Sequence, residues 1–298
     1  VLLEGDLLTR LATLSFHVRR PRRGQVQGER RSTKRGTSVE FADYREYARG
    51  DDLRRVDWNI YARLERPFVK LFEEEEDLAV HVLVDGSGSM GWRGEGEREG
   101  QRDKWDYARR LAAALGYVAL VGGDRLQVAL LRSGEVAARF GPVRGQGNAL
   151  RLFEWLEGLE AEGTTDLNAA LRAYGFAGGR AGLAVLISDL FSPTGYVEGL
   201  TALAARGHEV ALLHLLTPDE VDPPLGGDLR LVDVETGEVQ EVTVDGGMRN
   251  LYRRRLAAWQ EEIRAACRAR DGLYVPLTTA VPLDRALLHD LRRARLLR

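Results

Sequence analysis

The sequence predicts an α/β protein organised around a doubly wound, mostly parallel sheet with helices on both faces. Two observations carry that expectation. The apolar runs Leu78 to Val84, Leu183 to Ile187 and Val210 to Leu216 are continuous rather than alternating, as strands buried on both faces read. Segments of helical periodicity separate them, and strands alternating with helices at this spacing imply parallel pairing.

Leu2, Leu3, Leu7, Leu8, Leu11 and Leu14 recur at helical spacing, broken by Glu4, Asp6 and Arg10, so the opening residues read as a helix and not as a signal peptide. A basic stretch follows, with Arg19, Arg20, Arg22, Arg23, Arg30, Arg31, Lys34 and Arg35 opposed only by Glu29. Pro21 and the glycines argue against a helix there. It reads either as a phosphate- or acid-binding arm or as a solvated segment paired with the acidic run Glu73 to Asp77. No aromatics alternate with the arginines as single-strand binders require, which favours the second reading. From Phe41 to Phe72 aromatics lie among paired charges, with a turn signal at Gly50-Asp51-Asp52. Residues 1–77 are therefore expected to form a basic, aromatic-rich N-terminal extension packed on the main domain. Phe41, Tyr44, Trp58 and Tyr61 should be buried there, because exposed aromatic clusters of this size are rare.

Residues 78–298 are expected to form the α/β domain. After the strand ending at Val84, Tyr107 to Val121 is a helix, and Leu126 to Leu131 and Val136 to Phe140 are strands. Ala149 to Leu159 and Leu167 to Phe176 are helices, and Leu183 to Ile187 is a strand. Val197 to Ala205 is a helix, followed by the strand Val210 to Leu216. Leu229 to Val234 and Val239 to Val244 flank Glu235-Thr236-Gly237-Glu238, a hairpin signal. A long helix from Met248 to Ala269, a short strand from Tyr274 to Leu277 and a terminal helix complete the chain.

Composition removes several classes of function. The formal net charge is only −2, so no global field draws the chain to nucleic acid or an anionic membrane. No apolar run approaches a bilayer span. The lone Cys267 excludes an intramolecular disulfide and a cysteine-cluster zinc site, and a cytoplasmic protein is expected.

Three separated pieces carry chemistry: Asp85-x-Ser87-x-Ser89 after the first domain strand, Gly163-Thr164-Thr165-Asp166 opening a helix, and Ser188-Asp189 after a later strand. Loops leaving the carboxyl ends of strands in a doubly wound sheet share one crevice, which would put Asp85 and Asp189 at adjacent strand ends beside Thr165. Asp85, Ser87, Ser89, Thr165 and Asp189 all offer oxygen and none offers nitrogen or sulfur. That donor set suits a hard cation such as Mg²⁺ or Mn²⁺, of which Mg²⁺ takes about six oxygens with several from water. Gly86 and Gly88 allow the loop to fold back tightly enough to aim both hydroxyls at one centre.

Asp85-Gly-Ser87-Gly-Ser89, Gly-Thr-Thr165 and Asp189 together resemble the metal-ion-dependent adhesion site of von Willebrand factor type A domains. The resemblance implies Ser87, Ser89 and Thr165 as inner ligands, with Asp85 and Asp189 acting partly through water. It also implies a shell completed by an acidic residue of a protein partner. Thr165 is preferred to Thr164 because Thr164 aligns with a family glycine. The flanking stretches Gly36-Thr-Ser-Val-Glu-Phe-Ala-Asp-Tyr-Arg-Glu-Tyr47, Gly50-Asp-Asp-Leu-Arg-Arg-Val-Asp-Trp58 and Val69-Lys-Leu-Phe-Glu-Glu-Glu-Glu76 are similar to a bacterial family known as domain of unknown function 58. Members commonly neighbour MoxR-type AAA+ ATPases in the genome, which implies such an ATPase as partner.

Three functions remain open on this reading. The first is a divalent-cation-dependent protein-interaction module, an adaptor for a MoxR-type ATPase in assembly or maturation of client proteins. The second is a metal-dependent phosphoesterase, although two-metal phosphate chemistry wants dense carboxylates about 4 Å apart and this set has two among three hydroxyls. The third is nucleic-acid binding through the basic arm. A serine nucleophile would need a base, and none of His17, His81, His208, His214 and His289 falls on the expected crevice loops. No G-x-x-x-x-G-K-[ST] phosphate loop is present, so the chain is not expected to bind ATP in that way, and without a convincing base or nucleophile no enzymatic role is expected.

Overall fold

The computed structural model describes residues 2–18, 40–48, 51, 56–73, 78–92, 103–177, 179–224 and 226–298. The basic arm and the acidic run Glu74 to Asp77 lie outside the described residues. The chain forms two compact units, one of Val1–Arg19 with Leu78–Arg298 and the other of Arg20–Asp77.

In the larger unit, helix α1 (Gly5–Leu11) is the first element. The smaller unit contributes strand β1 (Glu40–Glu46), helix α2 (Trp58–Leu64) and strand β2 (Phe68–Glu73), with β1 and β2 antiparallel. Asp57 caps α2 by accepting the Asn59 and Ile60 amides, and the Tyr44 hydroxyl donates to its other oxygen at 3.2 Å. Against the expected burial of the aromatics, Tyr44, Trp58 and Tyr61 are 37%, 61% and 44% exposed, and the side chain of Phe41 lies outside the described residues. Helix α2 is only seven residues long and none of its residues is buried, so Trp58 and Tyr61 meet edge to face, ring centroids 6.0 Å apart, at the surface.

The larger unit holds a six-stranded sheet of order β10-β7-β6-β3-β4-β5. Its strands are β3 (Ala79–Asp85), β4 (Arg125–Arg132), β5 (Glu135–Arg144), β6 (Leu183–Ser188), β7 (Glu209–Leu216) and β10 (Leu273–Thr278). Every pairing is parallel except β4 with β5. The strand periodicity of two sends alternate side chains to two separate cores. Val80, Val82 and Val84 enter one with α3 (Lys104–Val121), α4 (Ala149–Glu157) and the C-terminal helical turns. Leu83 enters the other with α5 (Leu167–Phe176), α6 (Val197–Ala205) and α8 (Gly246–Arg268). A short helix, α7 (Pro218–Val221), follows β7, and the hairpin β8 (Gly227–Val232) and β9 (Val239–Val244) stands outside the sheet. Among the described residues no helix is long and apolar enough to cross a membrane.

The opening residues belong to the larger unit and not to an extension reaching residue 77. Leu2, Leu3, Leu7, Leu11, Leu14 and Phe16 are buried in the first core, and Arg110 of α3 donates to the Leu2 carbonyl at 2.8 Å. Phe16 bridges Leu297, and Ser15 and Arg298 exchange backbone hydrogen bonds. If this docking contributes to the core, Leu11→Ala, at a fully buried position, should cost about 2–5 kcal/mol in urea unfolding. A loss within error of zero would mean that α1 is merely tethered.

His81 on β3 is buried with both ring nitrogens engaged, by the Tyr174 hydroxyl at 2.6 Å and the Arg180 carbonyl at 2.9 Å. Burial lowers its pKa below the ordinary 6.5, with the Arg180 carbonyl opposing. Its contribution to stability is therefore fully present above 6.5 and is lost progressively as pH falls from there through the folded value. His81→Gln should lose less stability than the wild type between about pH 7 and about pH 5. Equal losses in chemical denaturation would mean that the imidazole is charged in the fold.

Candidate metal-binding site at the switch point of the sheet

Strand order reverses at β3: the chain runs outward from it to β4 and β5 on one flank and then returns through α4 and α5 to β6 on the other. The crevice between the carboxyl ends of β3 and β6 is thus the switch point at which ligands bind in open α/β sheets. Asp85 ends β3 and Asp189 follows β6, and the two elements are direct neighbours.

The loop after Asp85 is held at every step. The Asp85 Oδ1 accepts the Ser87 amide at 3.1 Å, and the Gly88 amide donates to the Gly163 carbonyl at 2.9 Å. A 3₁₀ turn over Gly88–Gly91 drops Met90 into the core and leaves the two serine hydroxyls 3.0 Å apart. The glycines are needed for space rather than for a left-handed backbone. A Cβ on Gly86 would stand 2.5 Å from Leu130 Cδ1, and one on Gly88 would stand 3.1 Å from the Gly163 carbonyl oxygen. On the next loop Gly163 does take a positive φ of 78°. The Thr164 carbonyl accepts the Ser133 amide at 2.9 Å, and Asp166 caps α5, so the buried Thr165 is clamped between them. Thr164 itself is exposed.

All five residues expected at the site, Asp85, Ser87, Ser89, Thr165 and Asp189, are buried. Asp85, Ser87 and Ser89 form one hydrogen-bonded cluster, and Asp85 Oδ2 also accepts the Ser188 hydroxyl at 2.6 Å. Thr165 is tied to Ser89 through a residue that the sequence does not reveal. Glu235, in the β8–β9 turn, accepts from the Thr165 hydroxyl at 2.5 Å, the Thr165 amide at 2.8 Å and the Ser89 amide at 3.3 Å.

Asp189 is turned to a different partner. Its Oδ2 accepts from the Lys104 ammonium at 2.6 Å and its Oδ1 from the Phe191 amide at 3.1 Å. Lys104 is fully buried and also donates to Glu220 Oε1 at 2.6 Å, with the Phe191 ring 5.5 Å away. A sequence signal for Lys104 exists: extending the buried stripe Leu115, Leu111, Ala108 back by one helical step lands on it. Burial works against its charge, but Asp189 and Glu220 outweigh burial and hold its pKa above the ordinary value. Burial also lifts the Glu220 carboxyl, which Lys104 only partly offsets. Asp85 is pushed up to about 7, first by burial and then by the charge of Asp189, with the hydrogen bonds from Ser188 and Ser87 opposing.

Chemically the site offers only hard oxygen donors and an excess of buried negative charge over the single ammonium, an environment that a divalent cation relieves. Among the described residues no three His, Cys, Asp or Glu side chains converge as a metal cluster, so a cation here would depend on the hydroxyls. The donor chemistry fits Mg²⁺ or Mn²⁺ on that condition.

Fold and site together define a mixed α/β protein with an oxygen-donor crevice at the switch point of a mostly parallel sheet. The chain belongs to the family described as protein of unknown function DUF58, which matches residues 43–262. Uncharacterised proteins of Mycobacterium bovis and Mycobacterium tuberculosis are each 31% identical over 300 aligned positions, covering 98% of this chain and 91% of theirs. Among solved structures, the conserved hypothetical protein BatB from Bacteroides thetaiotaomicron aligns at 16% identity with a TM-score of 0.42, over 73% of this chain and 98% of that one. An aerotolerance-related membrane protein from Bacteroides fragilis aligns at 17% with a TM-score of 0.42, over 72% and 99%. The pilus adhesin SpaC from Lactobacillus rhamnosus GG aligns at 12% with a TM-score of 0.45, over 76% and 32%.

Lys104→Met leaves Asp189 and Glu220 buried without their counter-charge. It should lower stability by about 3–5 kcal/mol in urea unfolding, the usual effect of breaking a buried pair from one side. A neutral result would mean that water or a cation replaces the ammonium without cost.

Proposed function

We propose that the domain from Leu78 to Arg298 is von Willebrand factor type A-like, and that its crevice binds Mg²⁺ or Mn²⁺ for protein recognition rather than catalysis. Ser87, Ser89 and Thr165 would be the inner ligands, with Asp85 and Asp189 behind them. Bound there, the cation would supply an electrophilic centre for a carboxylate from a protein partner. The observation that carries this reading is the concentration of oxygen donors and surplus negative charge at one buried strand end, Asp85 to Ser89, beside Thr165 and Asp189. The sequence resemblance suggests a MoxR-type AAA+ ATPase as the partner, with the chain as its adaptor.

The phosphoesterase and the serine-nucleophile readings draw less support. Both ring nitrogens of His81 and of His214 are engaged, His214 by the Tyr274 hydroxyl and the Asp189 carbonyl, so neither can take a proton from Ser87 or Ser89.

The test has two stages. Calorimetric titration should give saturable Mn²⁺ binding, weakened at least about tenfold by Ser87→Ala with Ser89→Ala while circular dichroism is unchanged. Immobilised protein should then capture a MoxR-type ATPase in Mg²⁺ and release it in EDTA, with Ca²⁺ a poorer substitute because it prefers longer bonds and more ligands. Capture that persists unchanged in EDTA would transfer recognition to another face. Phosphate-ester turnover that disappears in Asp85→Ala would replace the adaptor by a hydrolase.

A further inference from the structure

The β8–β9 hairpin lies outside the six-stranded sheet and buries little, with Val232, Val234 and Val239 all exposed. Two-stranded ribbons of this kind are marginal on their own. Its turn is nevertheless tightly built. The Asp233 carboxylate accepts the Glu235 and Thr236 amides at 2.9 and 2.7 Å, and these bonds hold its pKa below the usual range. Gly237, at a φ of 73°, donates its amide to the Asp233 carbonyl at 2.9 Å. This framework delivers one side chain, Glu235, onto the crevice, where it accepts the three bonds from Thr165 and Ser89. The tip lies directly against the loop after Asp85: a Cβ built on Gly88 would meet Glu235 Cγ at 3.6 Å and the Val234 carbonyl oxygen at 3.9 Å, ordinary contact distances.

We propose that Glu235 is a further residue of the site, an acidic ligand supplied by the chain itself that holds the position an outside carboxylate would take. The inference rests on the metal-dependent reading above and names what a partner must displace. Asp85 is engaged by Ser87 and Ser188 and Asp189 by Lys104, whereas Glu235 is engaged by Thr165 and Ser89. Without a cation its carboxylate is drawn in by hydroxyl and amide donors alone, facing buried negative charge. A cation held by the Ser87, Ser89 and Thr165 hydroxyls would attract that carboxylate and hold the hairpin tip more firmly. Being tethered, Glu235 competes at a high effective concentration, so a solitary acidic side chain from solution enters poorly. A partner that also grips the exposed valines of the hairpin could lift the tip and present its own carboxylate in exchange.

The experiment uses Mn²⁺ alone with the full chain, comparing wild type, Glu235→Gln and the Ser87→Ala, Ser89→Ala pair. Affinity is read by electron paramagnetic resonance and bound water by proton relaxation. Hairpin closure is read by hydrogen exchange over residues 227–244. Glu235→Gln should weaken Mn²⁺ about tenfold and admit about one more water to the ion. Exchange in the hairpin should slow on adding Mn²⁺ to the wild type and not to the variant. Wild-type affinity, hydration and exchange in Glu235→Gln, with binding lost in the serine pair, would overturn this inference and leave the metal-dependent reading intact. No Mn²⁺ binding by the wild type would overturn both.

Discussion

A strand that is paired on both edges and packed on both faces has no freedom except at its ends, and β3 is that strand here. Its backbone is bonded to β4 and β6, and its side chains from Ala79 to Asp85 are all buried. Both neighbours follow β3 in the chain but lie on opposite flanks of it, so the connections on either side lead away from the gap where Asp85 emerges. What fills the gap is a set of amides, hydroxyls and carboxylates from loops whose paths are dictated by the sheet. The tight passage at Gly86, the inward drop of Met90 and the clamp on Thr165 are all consequences of fitting a chain into that space.

Charge at this buried point is managed by two different devices. Lys104 enters from the first turn of α3 and binds Asp189 to Glu220, whose helix is itself closed by a reciprocal cap between Thr217 and Glu220. Strand end, α3 and α7 are thereby joined through one ammonium. Among the described residues Asp85 has no such counter-ion and is accommodated by hydroxyl and amide donors, with its affinity for a proton raised. The two carboxylates differ accordingly: one is structurally neutralised, the other is left with a demand for positive charge.

Much of the sheet was legible because parallel strands buried on both faces leave unbroken apolar runs, and α5 and α6 begin and end where periodicity places them. Strand β5 runs on to Arg144, past the Gly141-Pro142 break at which the pattern stops, because an edge strand tolerates a proline. The five oxygen donors could be picked out because each sits directly after a strand or before a helix, positions that periodicity locates. Lys104 was half legible, as a charged residue on an apolar stripe. Glu235 was not legible at all: its partners are 70 and 146 residues away and nothing local distinguishes it from any acidic turn residue. The burial of α1 escaped for the same reason, since helical spacing identifies a face without naming what covers it. The aromatics around Trp58 misled because composition alone cannot tell a core from a decorated surface.

The pairing of Phe16 with Leu297, and of Ser15 with Arg298, has a consequence for biosynthesis. A ribosome delivers the first partner long before the second, so the strand-like contact at Phe16 cannot form until Leu297, 281 residues later, has emerged. Until then the leucines of the opening helix lack the C-terminal members of the core they share, Leu283, Leu287, Leu291, Leu296 and Leu297. Apolar side chains left waiting in this way are what chaperones and proteases recognise. The closure is therefore a late event that separates chains carrying Leu296 and Leu297 from chains that have not yet reached them.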